Sequence, residues 1–173
     1  MNPHVIELPW TLEPLALYRA LKSLWKDEFS VLLESRIHNA PRGRYSFVMI
    51  CPREVIHLKN WKITKKSGET LHFDNSEALW KYLKSLTDGY TTHTDADLPP
   101  FLGGVCGVFG YEFKQYIESF SDNVPDPYDL PDAELGIFDW GFAYDHHAHK
   151  LFGFMNFCIE ETKRKRAATT RGI

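Results

Sequence analysis

Three groupings of residues in this chain are of types that do chemistry. Asp145-His146-His147-Ala148-His149 places three imidazoles and a carboxylate in five residues, a donor set suited to a transition metal. Ser35 stands ahead of the basic turn Arg42-Gly43-Arg44-Tyr45. A hydroxyl, backbone N–H groups, a guanidinium and an aromatic ring suit a small amino acid: donors for its carboxylate, acceptors for its amine, a ring for its side chain. Gly103-Gly104-Val105-Cys106-Gly107-Val108-Phe109-Gly110 carries four glycines in eight residues and runs toward a helix-like pattern. That order suggests a phosphate loop.

Each grouping has a plainer reading. The histidines fall between two strand patterns, where polar residues collect in the turn, and no second carboxylate-and-histidine motif completes a site. We assign no metal. The residues around Ser35 read equally as a polar strand–turn–strand connection whose arginine pairs locally, and spacing alone favours that. The glycines lie before and within the strand, not in the turn opening the helix, and no Gly-Lys-Ser/Thr follows. They instead fit backbone that takes positive φ or runs close to other backbone. No nucleophile-elbow sequence occurs, and no catalytic residue is assigned.

The elements that must position these residues follow from periodicity. After an extended lead-in over 1–10, Pro14 opens a helix to about Lys26, with Leu15, Tyr18, Leu21 and Leu24 as its apolar face. Strands are expected at Phe29–Glu34, Tyr45–Cys51, Val55–Leu58 and Trp61–Thr64. Lys66-Ser67-Gly68-Glu69 is a hairpin turn into Thr70–Phe73. Leu79, Tyr82, Leu83 and Leu86 stand at i, i+3, i+4 and i+7 behind the capping candidates Asp74–Glu77.

The later half reads similarly. Gly89–Asp97 is a polar loop. Gly104–Tyr111 is a buried strand covered on both faces, and Phe113, Tyr116, Ile117 and Phe120 form a helical face after it. Pro125, Pro127 and Pro131 mark an extended connection. Glu134–Tyr144 is one strand with Phe138, Trp140, Phe142 and Tyr144 on one side. Asp145–His149 turns into Lys150–Asn156, closing a hairpin. Helices interspersed with runs of strands, without a βαβ series, give an α+β fold with a mostly antiparallel sheet.

The chain has 173 residues, room for one domain with its own core. We place that domain over 1–161. The last twelve residues, 162–173, hold five basic residues and no acid, and are expected to be a disordered basic tail. Net charge is −3, so the body before the tail is distinctly acidic, which argues against a nucleic-acid groove. No apolar run reaches the ~20 residues that span a bilayer. The first residues lack a secretory signal's basic and apolar regions. Cys51, Cys106 and Cys158 are far apart, odd in number and without metal spacing. They suggest buried free thiols in a reducing, cytoplasmic setting.

Several segments, taken in order, resemble the N-terminal half of the chorismate-utilising synthases, the family of aminodeoxychorismate and anthranilate synthase component I. They are Leu32-Leu33-Glu34-Ser35, Gly43-Arg44-Tyr45-Ser46, Pro100–Gly104 with Gly107–Glu112, Leu130–Trp140 and Asp145-His146. The resemblance spans about residues 5–157, and Gly136-Ile137-Phe138-Asp139-Trp140 is closer to the aminodeoxychorismate branch. It implies a β-rich unit packed against a second, similar half. It implies partnership with a glutamine amidotransferase that supplies ammonia, Mg²⁺ for the complete enzyme, and a product leading to para-aminobenzoate and folate. It also implies a tryptophan pocket at Ser35, Arg42, Gly43, Arg44 and Tyr45. The family's chorismate site, metal-binding glutamates and catalytic lysine belong to the C-terminal half, which this sequence lacks. A truncated or frame-shifted gene product would fit, as would a boundary where a separate chain takes over, and enzymatic activity is not assigned to this chain alone. The open alternatives are the anthranilate branch, with tryptophan as feedback inhibitor, and a stand-alone amino-acid-binding relic.

Overall fold

A computed structural model describes residues 3–9, 12–36, 43–88, 90, 97–118 and 128–156. It contains two five-stranded sheets and a few helices, an α+β fold. The chain divides into two compact units. One holds Met1–Pro52, Gly89–Gly104 and Phe138–Ile173; the other holds Arg53–Asp88 and Val105–Ile137. The expected tail over 162–173 lies outside the described residues, as do most of the 89–97 loop and the proline-rich connection.

The first unit is built on a sheet of order β1 (His4–Glu7), β10 (Lys150–Met155), β9 (Trp140–Asp145), β3 (Tyr45–Ile50), β2 (Ser30–Leu33). All four pairings are antiparallel. The expected lead-in is thus partly a strand, β1, laid along β10. Helix α1 (Pro14–Leu24) packs on one face of this sheet. Leu17 is buried among Val48, Tyr144 and Leu151, with Tyr18, Leu21, Leu32 and Phe142 around them. The buried helix face is therefore Pro14, Leu17, Tyr18 and Leu21, not Leu15–Leu24 at every third residue. Leu24 is 72% exposed. Steps of three fall behind a 3.6-residue turn and drift around the helix, whereas i, i+3, i+4, i+7 stays on one side.

The second unit's sheet has the order β6 (Thr70–His72), β5 (Lys62–Lys65), β4 (Glu54–Lys59), β8 (Ala133–Phe138), β7 (Gly104–Phe109). Pairings β4–β5, β5–β6 and β4–β8 are antiparallel. The expected hairpin at Gly68 is present, with φ of +89 at the glycine. Helix α2 (Ser76–Ser85) starts where Asn75 accepts the Ala78 N–H at 2.9 Å, and buries Leu79 and Leu83. Between β4 and β5, Asn60 and Trp61 both take positive φ, +48 and +62, in a tight two-residue turn. A tryptophan is strained there. The Trp61 N–H donates to Tyr116 Oη at 3.3 Å, and its ring stands edge-on to Tyr116 at 4.8 Å. Asp132 Oδ2 accepts from the Asn60 N–H, Gln115 Nε2 and Tyr116 Oη, so the turn is held from three sides.

Four further expectations need correction. Glu134–Tyr144 is not one strand: β8 and β9 belong to different sheets, broken at Asp139. Asp139 is buried; it accepts the Tyr90 hydroxyl, and its carbonyl accepts the Asn156 N–H. β7 is not covered on both faces. It is an edge strand whose Val108 and Phe109 are more than half exposed. The following helix is a 3₁₀ turn over Tyr111–Tyr116. Its three-residue period buries Phe113 and Tyr116 together and turns Ile117 outward. Finally, Cys51 and Cys106 are partly exposed rather than buried, and Cys51 follows β3 at positive φ. The glycine reading holds where it was specific. Gly103 and Gly104 take φ of +113 and +132, and a Cβ on Gly107 would collide with the Glu134 carbonyl.

Candidate functional site

The start of β3 and the end of β9 form one corner of the first sheet, with Tyr45 opposite Asp145 and Ser46 opposite Tyr144. Residues some hundred positions apart therefore meet there. Arg44 donates from Nε and Nη2 to Asp145 Oδ2, at 2.9 and 2.7 Å. The other carboxylate oxygen accepts the N–H groups of His147 and Ala148, at 2.9 and 3.1 Å. Asp145 is 1% exposed. Burial alone would push its carboxyl upward, but Arg44 and the two amides outweigh that and hold it below the usual carboxylate range. The same pairing holds the Arg44 guanidinium above its ordinary value.

A second chain of contacts runs behind Ser35. Its N–H donates to Ser46 Oγ at 2.9 Å, and its hydroxyl donates to the Tyr45 carbonyl at 2.8 Å. Ser46 Oγ and His146 Nε2 share a hydrogen bond of 2.7 Å whose direction follows the imidazole tautomer. The His146 N–H returns to the Arg44 carbonyl at 2.8 Å. Ser46 and His146 are both buried, and the His146 ring stands edge-on to Tyr144 at 4.9 Å. Buried polar groups of this kind must find partners, and here they find one another.

Above this frame lies Tyr45. The Arg44 guanidinium sits 4.8 Å from its ring centre, and Phe47 follows at 6.2 Å, itself edge-on to Phe101. The Tyr45 hydroxyl is buried with no hydrogen-bond partner among the described residues. Burial, then the Asp145 charge, pushes its ionisation upward. The corner thus offers a buried hydroxyl with bonding capacity to spare, a half-exposed paired guanidinium and an aromatic surface. Those groups can orient a zwitterion with a flat apolar side chain. They include no activated nucleophile.

Of the five residues assigned from sequence, Ser35, Gly43, Arg44 and Tyr45 come together at this corner, and Gly43 is buried. Arg42 lies outside the described residues. Sequence reasoning left Ser46, Asp145 and His146 out of the site. The signal for Ser46 was a hydroxyl inside an otherwise apolar strand. The histidine cluster does not converge: Asp145 and His146 point inward to Arg44 and Ser46, while His147 and His149 are exposed. Among the described residues no group of three His, Cys, Asp or Glu is placed to hold a metal ion. No helix among them is long and apolar enough to cross a membrane.

Comparison with known proteins places this fold in a class. Over most of its length the chain is a partial, N-terminal-like match to component 1 of the chorismate-utilising synthases, the aminodeoxychorismate and anthranilate synthases. It is 25% identical to aminodeoxychorismate synthase component 1 of Klebsiella aerogenes, over 87% of this chain and 33% of that one. It is 30% identical to the Bacillus subtilis protein of the same name, over 76% and 29%. With anthranilate synthase component 1 of Aquifex aeolicus the identity is 29%, over 82% and 28%. The chain therefore spans 33% or less of the length of these relatives. No family model matches it. Anthranilate synthase component I from Streptococcus pneumoniae shares the fold, with a TM-score of 0.52 at 21% identity, over 96% of this chain and 36% of that one.

Proposed function

We propose that this chain is the N-terminal, non-catalytic portion of an aminodeoxychorismate synthase component 1, and that its corner at Ser35, Gly43, Arg44 and Tyr45 binds tryptophan. The observation that carries the pocket is the buried Tyr45 hydroxyl, without a hydrogen-bond partner among the described residues, beside a guanidinium whose orientation Asp145 fixes. The ligand's carboxylate faces Arg44, its ring lies along Tyr45 and Phe47, and the Ser35 segment forms the opposite wall. The matched relatives support the enzyme assignment, since several of them carry the aminodeoxychorismate name.

In this reading chorismate conversion, with Mg²⁺ and ammonia from a glutamine amidotransferase subunit, takes place on polypeptide supplied beyond these residues. The product is the precursor of para-aminobenzoate and folate. The anthranilate branch is the second reading, because relatives of that name match at 29–31% identity, no lower than those of the aminodeoxychorismate name. There the same corner is a feedback site.

Titration calorimetry with tryptophan tests the pocket. We expect saturable heat at millimolar ligand or below, abolished by Ser35→Leu. Absence of heat from the unaltered chain removes the pocket. Mixing with the catalytic part of an aminodeoxychorismate relative or with that of an anthranilate relative, plus chorismate, an ammonium salt and Mg²⁺, separates the branches by which of the two catalytic parts this chain activates. Turnover by the 173-residue chain alone would overturn the non-catalytic assignment.

A further inference from the structure

The sheet face that carries α1 is only partly covered. α1 lies mainly over β2 and β3, with Leu17 and Leu21 packed on Val48 and Leu32, and Leu17 reaches on to Tyr144 of β9 and Leu151 of β10. A helix is about 10 Å across and strands are about 4.8 Å apart, so one helix covers only part of a five-stranded sheet. Past the Tyr144–Leu151 pair, over β1 and the Trp140–Phe142 and Gly153–Met155 parts of β9 and β10, the same face holds an open cleft of about 330 Å³. Trp140, Phe142, Met155 and Ile6 line it around Gly153, with His4 at one end. Strand register puts these side chains on one face: Gly153 pairs with both Phe142 and Ile6, and Met155 with Trp140. The missing side chain at Gly153 makes the hollow. The lining is almost all carbon, with no converging polar groups, so it does not suit a small polar ligand.

We propose that this cleft seats a second amphipathic helix, laid beside α1 and supplied by the polypeptide that the longer relatives carry beyond the matched third. This rests on the reading of the chain as one portion of such an enzyme. Two observations select that occupant. The relatives carry more than twice as much further chain as the part matched here. The cleft also continues the α1 packing surface: Phe142 belongs to both, and Trp25 at the end of α1 stands edge-on to Trp140 at 6.5 Å. The incoming helix drops one large aliphatic or aromatic side chain into the hollow over Gly153, between Ile6 and Phe142.

The test co-expresses the tagged 173-residue chain with the unmatched remainder of Bacillus subtilis aminodeoxychorismate synthase component 1 and measures what is retained. Gly153→Leu fills the hollow. A Cβ there meets only Ile6 and Phe142 atoms at 3.6–3.9 Å, ordinary contact, so the strand keeps its fold. Ile6→Glu, at a side chain 61% exposed, is the second variant. We expect retention by the unaltered chain and by Lys81→Gln, an exposed position on α2, and a loss of about tenfold or more in the two cleft variants. Retention unchanged by both variants overturns the cleft and leaves the functional reading standing. No retention by the unaltered chain removes the cleft proposal, while the tryptophan titration judges the functional reading separately. A dimer of the 173-residue chain in sedimentation that Gly153→Leu disperses would assign the cleft to a second copy and overturn the proposal.

Discussion

Asp145 is the residue on which the candidate corner turns, because it satisfies a guanidinium and two amides at once. We expect Asp145→Ala to destabilise the fold by about 2–3 kcal/mol, the cost of leaving such donors without an acceptor. The sign of its pH dependence follows from its lowered pKa. The stabilisation is complete above the ordinary value of 3.8 and is lost as pH falls through the lower folded value. Thermal melts should therefore show the gap between wild type and Asp145→Asn narrowing below about pH 4. Tyr116 works in the opposite range. Burial, and then its bond to Asp132, raise its ionisation above the ordinary 10.0. Unfolded chain releases that proton first, so stability is lost as pH rises above 10.0. Tyr116→Phe should flatten the alkaline limb of a stability profile and, at neutral pH, cost about 1–2 kcal/mol through the orphaned Trp61 and Asp132 groups.

At the scale of elements, the local patterns were legible where they were complete within a few residues. α2 with its Asn75 cap, the Gly68 hairpin and the β9–β10 hairpin all stand as periodicity and turn chemistry require. Asn75→Ala should lower stability by about 1 kcal/mol. The break at Asp139 was not legible, because apolar alternation continues through Gly136–Tyr144 and nothing local marks a change of sheet. The exposure of β7 was hidden for a related reason: an edge strand and a central one can share composition, and only the partner list distinguishes them. At the site, Ser35 and Arg44–Tyr45 were readable as a turn. The pairing of Arg44 with Asp145 was not, since a separation of 101 residues carries no sequence signal. Gly107 gives an element-scale test. Gly107→Ala must displace the β8 backbone at Glu134–Leu135, and we expect a loss of about 2 kcal/mol or more in denaturant titration, against about 1 kcal/mol for Gly68→Ala, where there is space but φ is +89.

For the molecule as a whole, neither unit is a continuous stretch of chain. The polypeptide leaves the first unit after Pro52, returns for Gly89–Gly104, leaves again and comes back at Phe138. A chain ending at Asp88 would keep β1, β2 and β3 but lack β9 and β10, which stand between β1 and β3 in the sheet. We expect residues 1–88 to show no cooperative melt by circular dichroism. The interleaving also sets an order of events at the ribosome. Every strand of the second sheet has been synthesised before β9 exists, whereas β3 must wait about a hundred residues for its neighbour at Asp145. The nascent β2–β3 hairpin therefore spends that interval with an open, apolar edge, and the corner around Ser35 closes only when nearly all of the described chain has emerged.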